Sequence, residues 1–207
     1  MTRTPAPFIP PPHQLPPIPP LAVGLARLAC HPDTPEEAVI RLHVAIALEA
    51  DGRLTLHYHL RGALAQLRIA DADTPLPADR LWGHTCFEVF IGSEDAPAYR
   101  EFNFAPSGQW AAYAFSTYRE RIDDAPPGAP QLEILRSGDL LMLSATLPAA
   151  ALPPDTPVSR LRVGLSTVVE AADGRLSYWA LAHPGERPDF HDARSFCWQV
   201  SAPVSSF

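Results

Sequence analysis

The sequence predicts an all-β fold, a sandwich of antiparallel strands, and three observations carry that prediction. Apolar and polar residues alternate with period two from Ala38 onward. Turn residues recur at about the spacing expected between the short strands of an all-β domain. No long segment shows the three-to-four-residue apolar period of an amphipathic helix.

The first paired element is "AVIRLHVAIALEADGRLTLHYHLRG", residues 38–62, which reads as two strands joined at Asp51-Gly52. Alanine richness around Ala45 and Ala47 also suits a helix, but the Asp-Gly turn argues for a hairpin. In the second strand Leu54, Leu56, Tyr58 and Leu60 share one face, and Thr55, His57, His59 and Arg61 the other. Further strands are expected near 64–70, 84–92, 99–105, 109–118, 131–136, 139–147, 160–170, 175–182 and 194–200. Turn signals separate them: "PSGQ" at 106–109, "SGD" at 137–139 and "ADGR" at 172–175. Longer loops carry "DADTPLPADR", "DDAPPGAP" and "PPDTP", where proline blocks ladder pairing.

A chain of 207 residues is long enough for one sizeable core and too short for two large ones. Residues 1–20 are expected to form a proline-rich arm, and residues 21–207 a single domain. Nine of the 25 prolines fall in residues 5–20, a composition that favours extended polyproline II. A linker across the domain is the plain reading of this arm; a ligand for a proline-recognising module is the other. No apolar run approaches the roughly 20 residues needed to cross a bilayer, and "MTRTPAPFIPPP" lacks the form of a secretory signal. The expectation is a soluble cytoplasmic protein without a membrane partner. Cys30, Cys86 and Cys197 are odd in number and contain no C-x-x-C pair, which argues against a disulfide framework. Net charge is −7 and all 16 basic residues are arginine. No basic patch stands ready to neutralise phosphates, so nucleic acid is not an expected partner.

The stretch "WGHTCFEVFI", Trp82–Ile91, concentrates reactive residue types. Alternation sorts Thr85, Phe87, Val89 and Ile91 to one face, and His84, Cys86, Glu88 and Phe90 to the other. In "YREFNFAPSG" Phe102 and Phe104 join the apolar face, and Glu101 and Asn103 the polar one. If the early hairpin shares their sheet, His57, His59 and Arg61 add to this polar cluster. Buried carboxylates are costly unless paired, so Glu88 and Glu101 require donors, with Arg61, Arg100 and Arg119 as candidates. Either they anchor the fold internally or they line a ligand groove. Sugars are bound by stacking on flat rings while polar groups fix the hydroxyls; Trp82, Trp110, Tyr113, Tyr118, Tyr178 and Trp179 supply rings.

Catalysis by His84, Cys86 and Glu88, as a hydrolase or thiol enzyme, is an alternative. A mid-strand cysteine beside a carboxylate has its thiolate disfavoured, so Cys86 reads as a packed thiol. His57 with His59, or His183, Asp189, His191 and Asp192 in "HPGERPDFHD", are the two conceivable metal sources. Neither has a recognised ligand spacing, and no metal is expected.

Three stretches in order, "LWGHTCFEVFIG", "YREFNFAPSGQWAAYAF" and "SYWALAHPGERPDFHDARSF", resemble the bacterial DOMON-like domains. These are grouped with the family 9 carbohydrate-binding modules, and some are fused to UDP-N-acetylenolpyruvoylglucosamine reductase. The likeness runs from about Cys30 to Val200. It implies a jelly-roll-like antiparallel sandwich and a non-catalytic binding role, for a carbohydrate or similar small polar ligand. In the sugar-binding branch paired tryptophans clamp the glycan, and Trp82 or Trp110 with Trp179 would take those parts. In the haem branch methionine and histidine or lysine ligate iron, which leaves Met142 with a histidine as the alternative in this lysine-free chain. The candidate ligand-binding set is Trp82, Glu88, Glu101, Asn103, Trp110, Trp179 and Arg61. No catalytic residue and no obligatory cofactor are assigned.

Overall fold

The computed structural model describes residues 24–49, 51–77, 79–124, 127–154 and 160–199. The proline-rich arm of residues 1–20 lies outside them. In chain order the strands are β1 (Gly24–Arg27), β2 (Ala29–Cys30), β3 (Val39–Leu48), β4 (Leu54–Gly62), β5 (Cys86–Ser93), β6 (Ala96–Phe104) and β7 (Trp110–Thr117). There follow β8 (Glu120–Ile122), β9 (Gln131–Ser137), β10 (Leu140–Leu147), β11 (Leu161–Glu170), β12 (Leu176–Ala180) and β13 (Trp198–Gln199). The only helical pieces among the described residues are short 3-10 turns, and no helix is long and apolar enough to cross a membrane.

Two antiparallel sheets result. One has the order β1-β3-β4-β10-β9; the other runs β2-β12-β11-β5-β6-β7-β8, with β13 also pairing to β11. The Asp51-Gly52 hairpin joins β3 to β4 in near-perfect register, from Arg41↔Arg61 to Leu48↔Leu54. Gly52 takes φ +83°, a left-handed conformation that costs glycine little and other residues much. Asp51 accepts the Arg53 backbone N–H and so closes the turn.

The core lies between the sheets and follows the alternation. Leu54, Leu56, Tyr58 and Leu60 of β4 face Phe87, Val89 and Ile91 of β5 and Phe102 and Phe104 of β6 in one continuous cluster. The Tyr58 and Phe87 rings meet at 5.1 Å. The Tyr58 hydroxyl, fully buried, donates to the backbone carbonyl of Glu88 at 2.8 Å and so links one sheet to the other.

That packing corrects the shared-sheet expectation. Because β4 and β5 both turn their apolar faces inward from opposite sheets, their polar faces point outward in opposite directions. His57, His59 and Arg61 therefore do not join Glu88 and Glu101. The strand expected at 64–70 is instead a 3-10 turn at Leu64–Gln66, followed by a single bridge, Leu67↔Ala171. The strand expected at 194–200 shrinks to β13, after a 3-10 turn capped by the Asp192 carboxylate accepting from the Arg194 N–H. The short β1, β2 and β8 are additions, two to four residues each.

Candidate ligand-binding site

The outer face of the eight-stranded sheet carries two rows of side chains set by strand register. Ser166, Glu88, Asn103 and Ala111 lie across β11, β5, β6 and β7; the next row holds Gly164, Phe90, Glu101 and Tyr113. Glu88 and Glu101 are thus diagonal neighbours on adjacent strands, within reach of each other's field.

A segment from His183 to Phe196 lies over this face. Phe196 packs where a Cβ on Gly164 would stand, and its ring stacks on Phe90 at 5.6 Å. His191 meets Phe90 and Phe115 edge-on, each at 5.1 Å, and Phe190 meets Tyr178 at 5.9 Å. The segment is tied down by Asp189, which accepts from the Tyr118 hydroxyl at 2.6 Å, from Arg119 Nη2 at 2.8 Å and from the His191 N–H at 3.1 Å. Arg119 sits in the β7–β8 turn at φ 57°, the one non-glycine residue with positive φ among the described residues. Such a conformation is costly and persists where surrounding contacts hold it. Here the turn aims the Arg119 N–H at the Tyr99 hydroxyl, 3.0 Å away.

Between sheet and segment lies a cavity of about 680 Å³, within the range of small-molecule sites. Its rings are Trp82, Phe90, Tyr113, Phe115, Tyr178 and Phe190. Glu88 and Glu101 reach it from the sheet, while Asp79, Arg119, Arg121, Arg187 and His191 complete its charged and polar lining. Arg121 lies over the Tyr113 ring, 4.2 Å from its centroid, a favourable cation–π placement.

The electrostatics of the sheet face are unusual. Glu88 and Glu101 are 3% and 5% exposed. Among the described residues no arginine forms an ion pair with either; the nearest basic group is His191 Nε2, 3.8 Å from Glu101 Oε2. Glu101 Oε1 accepts from Asn103 Nδ2 at 2.7 Å, and Glu88 Oε2 accepts from the Ser166 hydroxyl at 3.4 Å. Glu88 Oε1 and Asn103 Oδ1 are buried without a hydrogen-bond partner. Burial pushes the Glu101 carboxyl up to about 7, against the opposing pull of Asn103, Arg119 and Arg121. Burial, then the Glu101 charge, raise Glu88 well above the ordinary carboxylate range. Burial and the Arg119 charge lower His191 to about 4, so its ring is neutral. The Tyr99 hydroxyl lies 2.8 Å from His191 Nδ1 and already accepts from Arg119.

No family model matches the chain, and no curated protein matches it. Among solved structures it is similar to a "putative carbohydrate-binding protein" from Bacteroides uniformis, with a TM-score of 0.62 at 16% sequence identity over 83% of each chain. The two chains share a fold.

Of the residues singled out from the sequence, Trp82, Glu88 and Glu101 line the cavity. Asn103 lies behind them, buried against Glu101. Three others lie elsewhere. Trp179 is 8% exposed in the core between the sheets, its indole N–H donating to Ser177 Oγ at 3.0 Å. Its row is Thr167 and Phe87, and Phe87 faces inward; the adjacent Tyr178 is the ring that enters the cavity. Trp110 stands at the start of β7 beside Phe104, on the side of Ala112, which packs on the core. Arg61 is on the outer face of the other sheet, 3.6 Å from Asp139. Of the other proposed counter-ions, Arg100 donates to the carbonyls of Ala150 and Leu152, leaving Arg119 as the one near Glu101. Phe90, Phe115, Phe190 and Arg121 were not chosen from the sequence. Continuing the alternation from Glu88 to Phe90 and from Tyr113 to Phe115 finds two of them; Phe190 requires knowing where its loop folds.

The catalytic alternative does not assemble here. Cys86 is fully buried, and burial together with the Glu88 and Glu101 charges keeps its thiol protonated. His84 is held by Glu170, at 2.8 Å. No group of three or more His, Cys, Asp or Glu side chains converges as for a metal among the described residues. Met142 pairs with His59 on neighbouring strands of the five-stranded sheet. Side by side on one face, the two do not approach an iron from opposite sides of a porphyrin, so haem does not fit this pair.

Proposed function

We propose that this protein is a binding module for a carbohydrate or a similar small polar ligand, held between the eight-stranded sheet and the 183–196 segment. The observation that carries this reading is the cavity itself: six aromatic rings around two buried carboxyl groups, with arginines at its lining. Aromatic faces stack on the apolar faces of a sugar ring, and carboxyl groups accept from its hydroxyls. The description given to the Bacteroides uniformis structure and the likeness of three motifs to DOMON-like domains support the same reading.

Of the four tryptophans only Trp82 lines the cavity, and it is half exposed. Ligand binding is therefore expected to change intrinsic tryptophan fluorescence, and Trp82→Phe to remove most of that change. Titration with a panel of mono- and oligosaccharides, read by fluorescence and calorimetry, tests this. No heat and no fluorescence change across the panel rejects the reading.

A further inference from the structure

Resting on the carbohydrate reading, we propose that the carboxyl pair in the cavity recognises a protonated amine, so that the ligand is an amino sugar with a free amino group. Glu88 and Glu101 share a buried patch of sheet, and among the described residues no cation is paired to either; the neutral His191 ring lies 3.8 Å from Glu101. Glu88 Oε1 has no hydrogen-bond partner, and Glu88 lines the cavity. Behind them the buried Asn103 Oδ1 also lacks a partner, its Nδ2 donating to Glu101. Unmatched buried groups of this kind carry a desolvation cost, a larger one when charged. What they lack is a donor bearing positive charge.

An ammonium group supplies that. Its N–H donors can meet Glu88 and Glu101, the two carboxyl groups that line the cavity, and its charge favours their ionised form. A neutral hydroxyl offers one donor and no charge. A hard metal cation requires six or more oxygens for calcium, or a near-ideal octahedron for magnesium, and aromatic rings occupy much of the remaining wall. Phe90, in the row of Glu101 and two residues from Glu88, adds an aromatic wall beside them. Neither arginine near Glu101 competes for it: Arg119 is bound to Asp189 and Tyr118, and Arg121 is laid over Tyr113. Their charges favour the ionised Glu101 that an ammonium requires.

The test is calorimetry on the full chain at neutral pH with glucosamine, glucose, N-acetylglucosamine and the non-sugar cyclohexylamine. Glucosamine is expected to bind at least tenfold more tightly than glucose. N-acetylation, which removes the charge, is expected to erase that gain, and so is Glu88→Gln with its fold verified by circular dichroism. Equal binding of all three sugars overturns amine recognition and leaves the carbohydrate reading standing. Binding of cyclohexylamine alone supports the amine site and rejects the sugar. No binding of any probe overturns both.

Discussion

Burial holds Glu101 at a pKa of about 7, whereas an unfolded glutamate titrates near about 4.3. The folded chain thus binds this proton more tightly than the unfolded one. The resulting stabilisation is complete below the unfolded value and is lost as pH rises through about 7. Glu88, raised for the same reason, acts in the same direction. His191, lowered to about 4, acts in the opposite one: it costs stability as pH falls below its unfolded value. Arg119 and Arg121 also face Glu101 and pull its carboxyl down against the effect of burial. The informative quantity is therefore the difference between Glu101→Gln and wild type. The variant is expected to gain several degrees in melting temperature over wild type between pH 5 and pH 8, and a constant offset across that range contradicts the assignment. At this scale much of the site was legible, because alternation alone put Glu88, Glu101 and Asn103 on one polar face. It failed at Trp179 for a reason of a single residue. Neighbours on a strand face opposite ways, and only the pairing of Thr167 with Phe87 and Trp179 reveals which of Tyr178 and Trp179 turns inward.

The roof of the cavity depends on one carboxylate. Asp189 accepts from Tyr118, Arg119 and the His191 N–H, joining the covering segment to the β7–β8 turn. Alanine at this position leaves Tyr118 and Arg119 without their partner but exposes little of the core. Local opening without global unfolding is the expected result. In hydrogen exchange, the amides of residues 189–192 in Asp189→Ala should exchange about tenfold faster, while the melting temperature moves by only a few degrees and ligand affinity falls several-fold. Unchanged exchange there removes Asp189 as the tie. Elements of this kind escape sequence reading. The loop "HPGERPDFHD" shows turn formers and possible ligands, yet its function as a cover depends on contacts with strands some 70 residues earlier in the chain. The hairpin β3–β4 was legible because its signal, Asp51-Gly52 between alternating runs, is local. By contrast, whether β4 shares a sheet with β5 is decided by tertiary packing.

At the scale of the whole molecule, the sandwich and the site are coupled through Tyr58. Its ring is part of the core between the sheets, and its hydroxyl ends on the carbonyl of Glu88, the residue whose side chain opens into the cavity on the far side. Burial holds the phenol well above its ordinary range, so it remains a donor at any pH the protein meets. Tyr58→Phe keeps the ring and removes only that donor, leaving one lone pair of a buried carbonyl unmatched. A loss of about 1 kcal/mol is expected, with the urea m-value unchanged because the same surface is exposed on unfolding. Leu56→Ala, one alternation step away in the same core face, removes packing instead and is expected to cost about 2–5 kcal/mol. The two variants should also differ in where the loss is felt. Tyr58→Phe frees the β5 backbone at Glu88 and should weaken ligand binding along with stability. Leu56→Ala touches no residue of the cavity and should lower stability while leaving affinity unchanged in the folded fraction. Urea denaturation paired with calorimetry separates the two, and equal effects of both variants on affinity would show that the cross-sheet bond does not position Glu88.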